Sequence, residues 1–302
     1  MGERGELESP GEQELESWAL QLERSGDYQV LRRLRLRPVT GDLGPKTGTR
    51  TGLIVDLETT GLDPQSAEIV EAAGLRFRYS LDGQVLEVSG EWSALREPDV
   101  PLPPETTRIT GITPEELAGK SIDPEAFCAF AAPAAIVIAH HAAFDRPIAE
   151  RMFPCLRAKP WACSLVEIGW TEAGHSSAAL QALLRDAGLF SDSHRALPDC
   201  RALLEVLSQP LGESGTALGQ LLLSARRLTT LLKVSAPFEA NEQLRQRGYR
   251  FQRADRCWLK EVERAQAEAE ETELRGLLGG HLQVNLQQVD ALSRYALPQE
   301  EI

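Results

Sequence analysis

Asp56 and Glu58 stand two residues apart at the end of an apolar run, Leu53–Pro64 (LIVDLETTGLDP). On a strand, residues i and i+2 face the same side, so both carboxylates would project together from one end of a sheet. Neighbouring carboxylates repel and are costly to bury unless a cation lies between them. Alone, the pair also reads as a polar strand end. A second candidate is Ala139–Asp145 (AHHAAFD), where a short strand ends at His140-His141 and Asp145 falls on the first turn of the next helix. Strand ends and helix starts are where α/β sheets bind ligands, although an acid at a helix start also simply complements the macrodipole. The third is Ser193–Cys200 (SHRALPDC), with His194 five residues before Asp199. A histidine in a polar loop can reach a water and withdraw, as a general base should, or it can be a solvated side chain.

The elements that must position these residues follow from pattern. Leu53–Asp56 reads as a first strand, Glu68–Tyr79 as a second, and Val85–Trp92 as a third after the Asp82-Gly83 hairpin signal. Thr113-Pro114-Glu115-Glu116 and Asp123-Pro124-Glu125 have the chemistry of helix starts. Ala135–Ala139 predicts a buried strand, with helices over Ala142–Met152, Ser176–Ala187 and Asp199–Leu207. Three antiparallel strands followed by alternating helices and strands predict an α/β fold with a mixed sheet. Residues 1–50 form a lead-in: an acidic amphipathic helix with Trp18, Leu20 and Leu22, the basic segment Gln29–Pro38 (QVLRRLRLRP), and a linker. That segment reads as a packed lead-in with snorkelling arginines, or as a nucleic-acid contact. The main domain spans 51–210. Residues 211–302 predict a long helix, Leu218–Val234, and a small α+β module of αββα form ending in the helix Val262–Leu278. Within it, Arg245–Lys260 (RQRGYRFQRADRCWLK) interleaves basic and aromatic residues, as either a single-strand-binding face or a packed hairpin would.

At 302 residues the chain has room for an ordinary domain and a smaller one. A net charge of −13 argues against coating nucleic acid by phosphate neutralisation alone, but not against an acidic site that recruits cations. The five cysteines include no Cys-x-x-Cys pair, so neither a disulfide framework nor a thiolate zinc site is expected. The apolar run Phe127–Ala139 is too short to span a bilayer. A cytoplasmic setting is the expectation.

Asp56, Glu58, Asp145, His194 and Asp199, in that order, together resemble the DEDDh branch of the DEDD superfamily of 3′-to-5′ exonucleases, which includes the proofreading epsilon subunit of bacterial DNA polymerase III. Supporting stretches are ETTGLDP, ITGITPEEL at Ile109–Leu117 and HRALPDCRALLEVL at His194–Leu207, and the resemblance covers about residues 50–208. It implies a ribonuclease H-like sheet with flanking helices. It also implies two divalent cations, and four oxygen donors suit Mg²⁺ or Mn²⁺. Asp56 would bridge both ions, Glu58 and Asp199 would share the nucleophile-side ion, and Asp145 would support the other. His194 would take the proton from the attacking water. Thr59, Thr60, Gly61 and Leu62 would hold the terminal nucleotide, with Ile109 and Ile112 closing over its base. The implied activity releases nucleoside 5′-monophosphates from single-stranded 3′ ends. DNA is the expected substrate, with RNA trimming or a silent binding module as alternatives and a DNA polymerase as a possible partner. One departure is His141, where many relatives carry Asn.

Overall fold

The computed structural model describes residues 11–36, 48–212, 215–252, 256–279 and 282–296. Helix α1 (Glu12–Ser25) carries acids in its first turn, ends at left-handed Gly26 and buries none of its residues. Strand β1 (Arg32–Arg33) comes next. Strands β2 (Thr49–Thr59), β3 (Ile69–Ser80) and β4 (Val85–Leu95) then make an antiparallel meander. Three short helices continue the chain. They are α2 (Pro104–Thr110), α3 (Pro114–Leu117) and α4 (Pro124–Ala131), each with proline in its first turn. Thr113 and Asp123 cap the last two by accepting from backbone amides, as their sequence predicts. Strand β5 (Ile136–Ala139), helix α5 (Ala142–Met152) and strand β6 (Trp161–Cys163) come after them. Helix α6 (Leu180–Asp186), strand β7 (Leu189–Phe190) and helix α7 (Ala196–Ser208) complete the main body.

The main sheet has the order β4-β3-β2-β5-β6, antiparallel through β2 and parallel beyond it. This mixed sheet with helices on both faces is the ribonuclease H-like arrangement expected from the sequence. Period-two alternation sorts β2: Leu53 and Val55 face α4 and α5, whereas Ile54 faces α7. Asp56 and Glu58 share the parity of Ile54, so both point toward α7. That helix turns Ala196, Cys200, Leu203, Leu204 and Leu207 to the sheet, an apolar stripe at helical spacing. The first strand is longer than the sequence pattern indicates, because Thr49–Gly52 also pair with β3.

Gly83 closes the β3–β4 hairpin at φ +92°, and a Cβ there would lie 2.3 Å from backbone atoms of Gly219. Thr216 Oγ1 donates to the Gly83 carbonyl at 2.7 Å, locking the hairpin to the start of the helix that Thr216 caps. Gly83→Ala is therefore expected to destabilise the fold by about 1–3 kcal/mol, read as a lower melting temperature with the secondary-structure content retained.

Beyond residue 210 the structure corrects the sequence reading. The long helix expected over Leu218–Val234 stops early: α8 is Ala217–Ala225, and Thr229–Ser235 is strand β8. Thr229, Thr230 and Val234 are β-branched, and β8 is a central strand flanked by two partners, so tertiary pairing overrides the helical reading. The remaining elements are helix α9 (Asn241–Gln246), strands β9 (Arg250–Gln252) and β10 (Cys257–Glu263), helix α10 (Ala267–Leu278) and strand β11 (Gln283–Val289). The module is thus βαββαβ with sheet order β11-β8-β10-β9, and not αββα. Tyr249 and Trp258 lie in its core with Leu232, Val234, Leu244 and Leu274, and Lys260 and Arg247 pair with Glu270 and Glu273. The basic–aromatic stretch is a hairpin with Tyr249 and Trp258 packed inward and Phe251 exposed; Arg253, Ala254 and Asp255, between its strands, lie outside the described residues.

Cys128 on α4 and Cys155 after α5 form a disulfide, which the cysteine spacing did not suggest. Folding brings the middle of α4 against the turn that follows α5, 27 residues further along the chain. The expectation of no disulfide framework is corrected to this extent. Among the described residues no helix is long and apolar enough to cross a membrane.

The C-terminal segment returns to the main body. Trp161 N donates to the Ala291 carbonyl at 2.7 Å. Arg146, only 1% exposed, bonds Glu150 and donates to the carbonyls of Leu292 (2.7 Å) and Arg294 (2.6 Å). Arg294 in turn reaches Glu167, Glu261 and Thr229.

Candidate active site

Strand β2 delivers Asp56 and Glu58, and the first turn of α7 delivers Asp199. One ligand oxygen from each lies within 4.8 Å of the others. Asp145, in the first turn of α5 and 5% exposed, stands outside that trio. It is still near enough that its charge, after burial, is the strongest influence on Asp56. Burial and the charges of Asp145, Asp199, Glu58 and Glu71 together hold the Asp56 carboxyl well above the usual carboxylate range. Glu58 is pushed up to about 8 by burial and then by Asp199, Glu71 and Asp145, with Arg195 opposing. Burial also raises Asp145 to about 8, against hydrogen bonds from the backbone at His141 and Asp145. Asp199 is raised by burial and pulled back by the His194 backbone and by Gln181. Carboxylates this crowded hold protons unless cations take their place. All the donors are hard oxygens, so the set fits Mg²⁺ or Mn²⁺ and not a thiophilic metal.

His194 is exposed in the loop before α7, in the left-handed region at φ +62°. Its backbone N–H donates to Asp199 Oδ2 at 2.8 Å, so loop and carboxylate are one unit. The next residue fixes that unit to the sheet. Arg195 donates from Nε and Nη2 to Glu71 at 3.0 and 3.1 Å, and the Ala196 amide donates to the same carboxylate at 3.0 Å. Glu71 is buried on β3 directly opposite Glu58, a like-charge pairing that costs stability without a counter-ion. Gln181 Nε2 donates to Asp199 Oδ1 at 3.2 Å and to Ser191 Oγ at 3.3 Å. Sequence reasoning missed Glu71, Arg195 and Gln181. The usable signal was Glu71 itself, a lone acid in the otherwise apolar run IVEAAGL.

The turn after Glu58 is built from its own side chains. Thr59 Oγ1 donates to the Gly61 carbonyl at 2.7 Å, and Thr60 pairs with Glu68 through both its amide and its hydroxyl. Thr106 Oγ1 donates to the Thr59 carbonyl at 3.4 Å, seating α2 against this turn. Leu62 is 91% exposed and Ile109 43%, both free to meet a ligand. Ile112 is wholly buried with Val70 and Leu117, so it supports this wall from within. His141 occupies the N-cap of α5 without a side-chain cap bond, its ring lying 6.1 Å from that of Phe144. His140 pairs through Nδ1 with Ser164 Oγ at 2.8 Å, and burial lowers it to about 4.

The exonuclease family model matches residues 53–207, which contain every carboxylate above. The chain is 30% identical over 171 residues to the DNA polymerase III PolC-type of Thermotoga petrophila, a match covering 52% of this chain and 11% of that protein. The Thermotoga maritima counterpart is 30% identical over 174 residues, covering 53% and 12%. The matched stretch thus spans about a tenth of the length of these curated relatives. Among solved structures, Exonuclease X in complex with 5′ overhanging duplex DNA aligns with a TM-score of 0.41 and 24% identity over 57% of this chain and 99% of that one. The zinc-bound E. coli ExoI–ssDNA complex aligns at 0.47 and 21%, over 62% and 48%.

Proposed function

Because the chain belongs to the exonuclease family whose model spans residues 53–207, we propose that it is a metal-dependent 3′-to-5′ exonuclease acting on single-stranded DNA ends. The observation that carries this reading is the trio Asp56, Glu58 and Asp199, with the His194 loop bonded to its third member. The curated relatives are DNA polymerases, which supports DNA over RNA and a polymerase as a partner to seek by co-purification.

In this reading Asp56, Glu58 and Asp199, with Asp145 beside them, would hold two Mg²⁺ or Mn²⁺ ions. When bound, the ions supply the positive charge that favours a hydroxide-like water and steadies the departing 3′ oxygen. A ring nitrogen of His194 takes the proton from that water, and its exposed loop lets the proton pass to solvent. The Thr59–Gly61 backbone grips the terminal nucleotide, while Leu62 and Ile109 stack against its base. The products are nucleoside 5′-monophosphates.

The test uses 5′-labelled DNA and RNA of one sequence with Mn²⁺ or EDTA. A ladder shortening from the 3′ end, lost in EDTA and faster on DNA, is the expected result. Faster RNA shortening would move the assignment to an exoribonuclease, and no ladder on either polymer would leave a binding module.

Glu71 acts in this scheme as a positioning residue, because it holds the His194 loop through Arg195. Glu71→Gln keeps the shape and loses a charge-assisted pair, so kcat is expected to fall about 10-fold with KM little changed. A rise in KM with kcat intact would instead assign Glu71 to substrate binding.

A further inference from the structure

The basic segment near the N-terminus remains without a role in the chemistry above, and the structure places it at the rim of the site. Strand β1 pairs in parallel with β7, Arg32 opposite Leu189 and Arg33 opposite Phe190. Leu34 and Leu36 pack on the main core, which leaves Arg33 and Arg35 outward, while Arg32 is partly exposed beneath α1. Ser191, next after β7, shares the Gln181 amide with Asp199, and Asp192 takes Arg33 Nη1 at 2.8 Å. The arginine strand therefore borders the loop that carries His194.

Most of the charge on this strand is met by α1. Arg32 binds Glu16 and Glu23, each at 2.8 Å, and Arg35 binds Glu12 at 2.7 Å. Glu12, Glu16 and Glu23 are spaced by four and seven residues, so they line one face of the helix. Nothing else described holds α1 firmly: none of its residues is buried, and Leu15, Trp18 and Leu22 are exposed. A carboxylate and a phosphodiester offer a guanidinium fork the same pair of oxygens. Exposed ion pairs are individually weak, so a polyanion held nearby can displace them.

We propose that the segment from Arg32 to Arg35 is a track for the backbone phosphates of single-stranded nucleic acid leading into the site, and that α1 occupies this track with Glu12, Glu16 and Glu23 until a nucleic-acid strand displaces it. The identity of the ligand rests on the exonuclease reading; the covering of the arginines does not.

The experiment measures binding of a labelled oligothymidylate to the full chain in EDTA across a salt series. The variant E12Q/E16Q/E23Q is expected to bind about 5–10-fold tighter than wild type, with a salt slope steeper by roughly 1.4, at ~0.7 per phosphate engaged by each of two freed arginines. Adding R32A and R35A to that background is expected to abolish the gain. Hydrogen exchange across α1 in the wild type should rise when the oligonucleotide is added. No tightening in the triple variant, tightening that survives loss of the arginines, or slower exchange across α1 would each overturn the proposal. The p-nitrophenyl ester of thymidine 5′-monophosphate, too small to reach β1, separates this inference from the proposed activity. An enzyme that cleaves the ester with Mn²⁺ but shows no tightening sinks the track alone. Tightening in a chain that cleaves neither ester nor polymer sinks the exonuclease assignment and leaves the track standing.

Discussion

Asp56→Asn is expected to lower kcat by at least about 10³-fold while making the metal-free protein more stable. Both effects have one cause. Asp56 is half-buried and crowded by Asp145, Asp199, Glu58 and Glu71, whose charges add to desolvation in disfavouring its ionised form. Acids whose folded pKa values are raised stabilise the fold below the unfolded carboxylate range and lose that contribution as pH climbs through the folded values. With Glu58 and Asp145 near 8, the window runs from about pH 4 to about pH 8. In EDTA the melting temperature is therefore expected to fall as pH rises from 5 to 8, by about 5 °C or more. Mn²⁺ should restore most of the loss. Asn at 56 removes one of the repelling charges, so its melting curve in EDTA should be flatter with pH and higher at pH 8. A metal-free wild type whose melting temperature is indifferent to pH over that window would contradict this account of the site.

The second large effect is at His194. His194→Gly is expected to reduce kcat by about 10²–10⁴-fold, the span usual for a lost general base. Stability should move little or upward. His194 sits at φ +62°, where a Cβ is disfavoured and glycine is at ease. Relief of that strain opposes the greater freedom glycine gives the unfolded chain, leaving the variant within about 1 kcal/mol of wild type. Added imidazole should recover part of the activity, because the loop remains tied to Asp199 by the residue-194 amide and to Glu71 through Arg195. Activity undiminished in the glycine variant would remove His194 from the chemistry.

Asp56, Glu58 and Asp199, which the fold brings together, stood out in the sequence only in combination, because each alone also reads as a polar strand end or a helix-start acid; Asp145 and His194 joined them through the family resemblance. The turn after Glu58 and the helix caps at Thr113 and Asp123 were legible because they depend on local pattern. Glu71 was not, because its partner Arg195 lies 124 residues away and only the sheet register sets it against Glu58. Ile112 matched a motif, but its burial depends on how α3 folds back onto Val70. Likewise the Leu218–Val234 segment has apolar residues that satisfy a helix, and only its neighbours β10 and β11 turn the second half into a strand. The disulfide between Cys128 and Cys155 depends on α4 packing against the turn after α5, which spacing alone does not encode.

The contact between Arg146 and the carbonyls of Leu292 and Arg294 gives the site a birth order. Arg146 adjoins Asp145, and its partners lie 146 and 148 residues further along the chain. At ordinary rates of synthesis, roughly 5–20 residues per second, the segment that satisfies this guanidinium emerges roughly 7–30 s after α5 does. Until then Arg146 has the Glu150 carboxylate of its own helix but lacks the two carbonyls that satisfy the rest of its guanidinium, so α5 is held less firmly. Chains halted before residue 290 are expected to bind nucleic acid yet cut it slowly, and an active truncation at 210 would refute this.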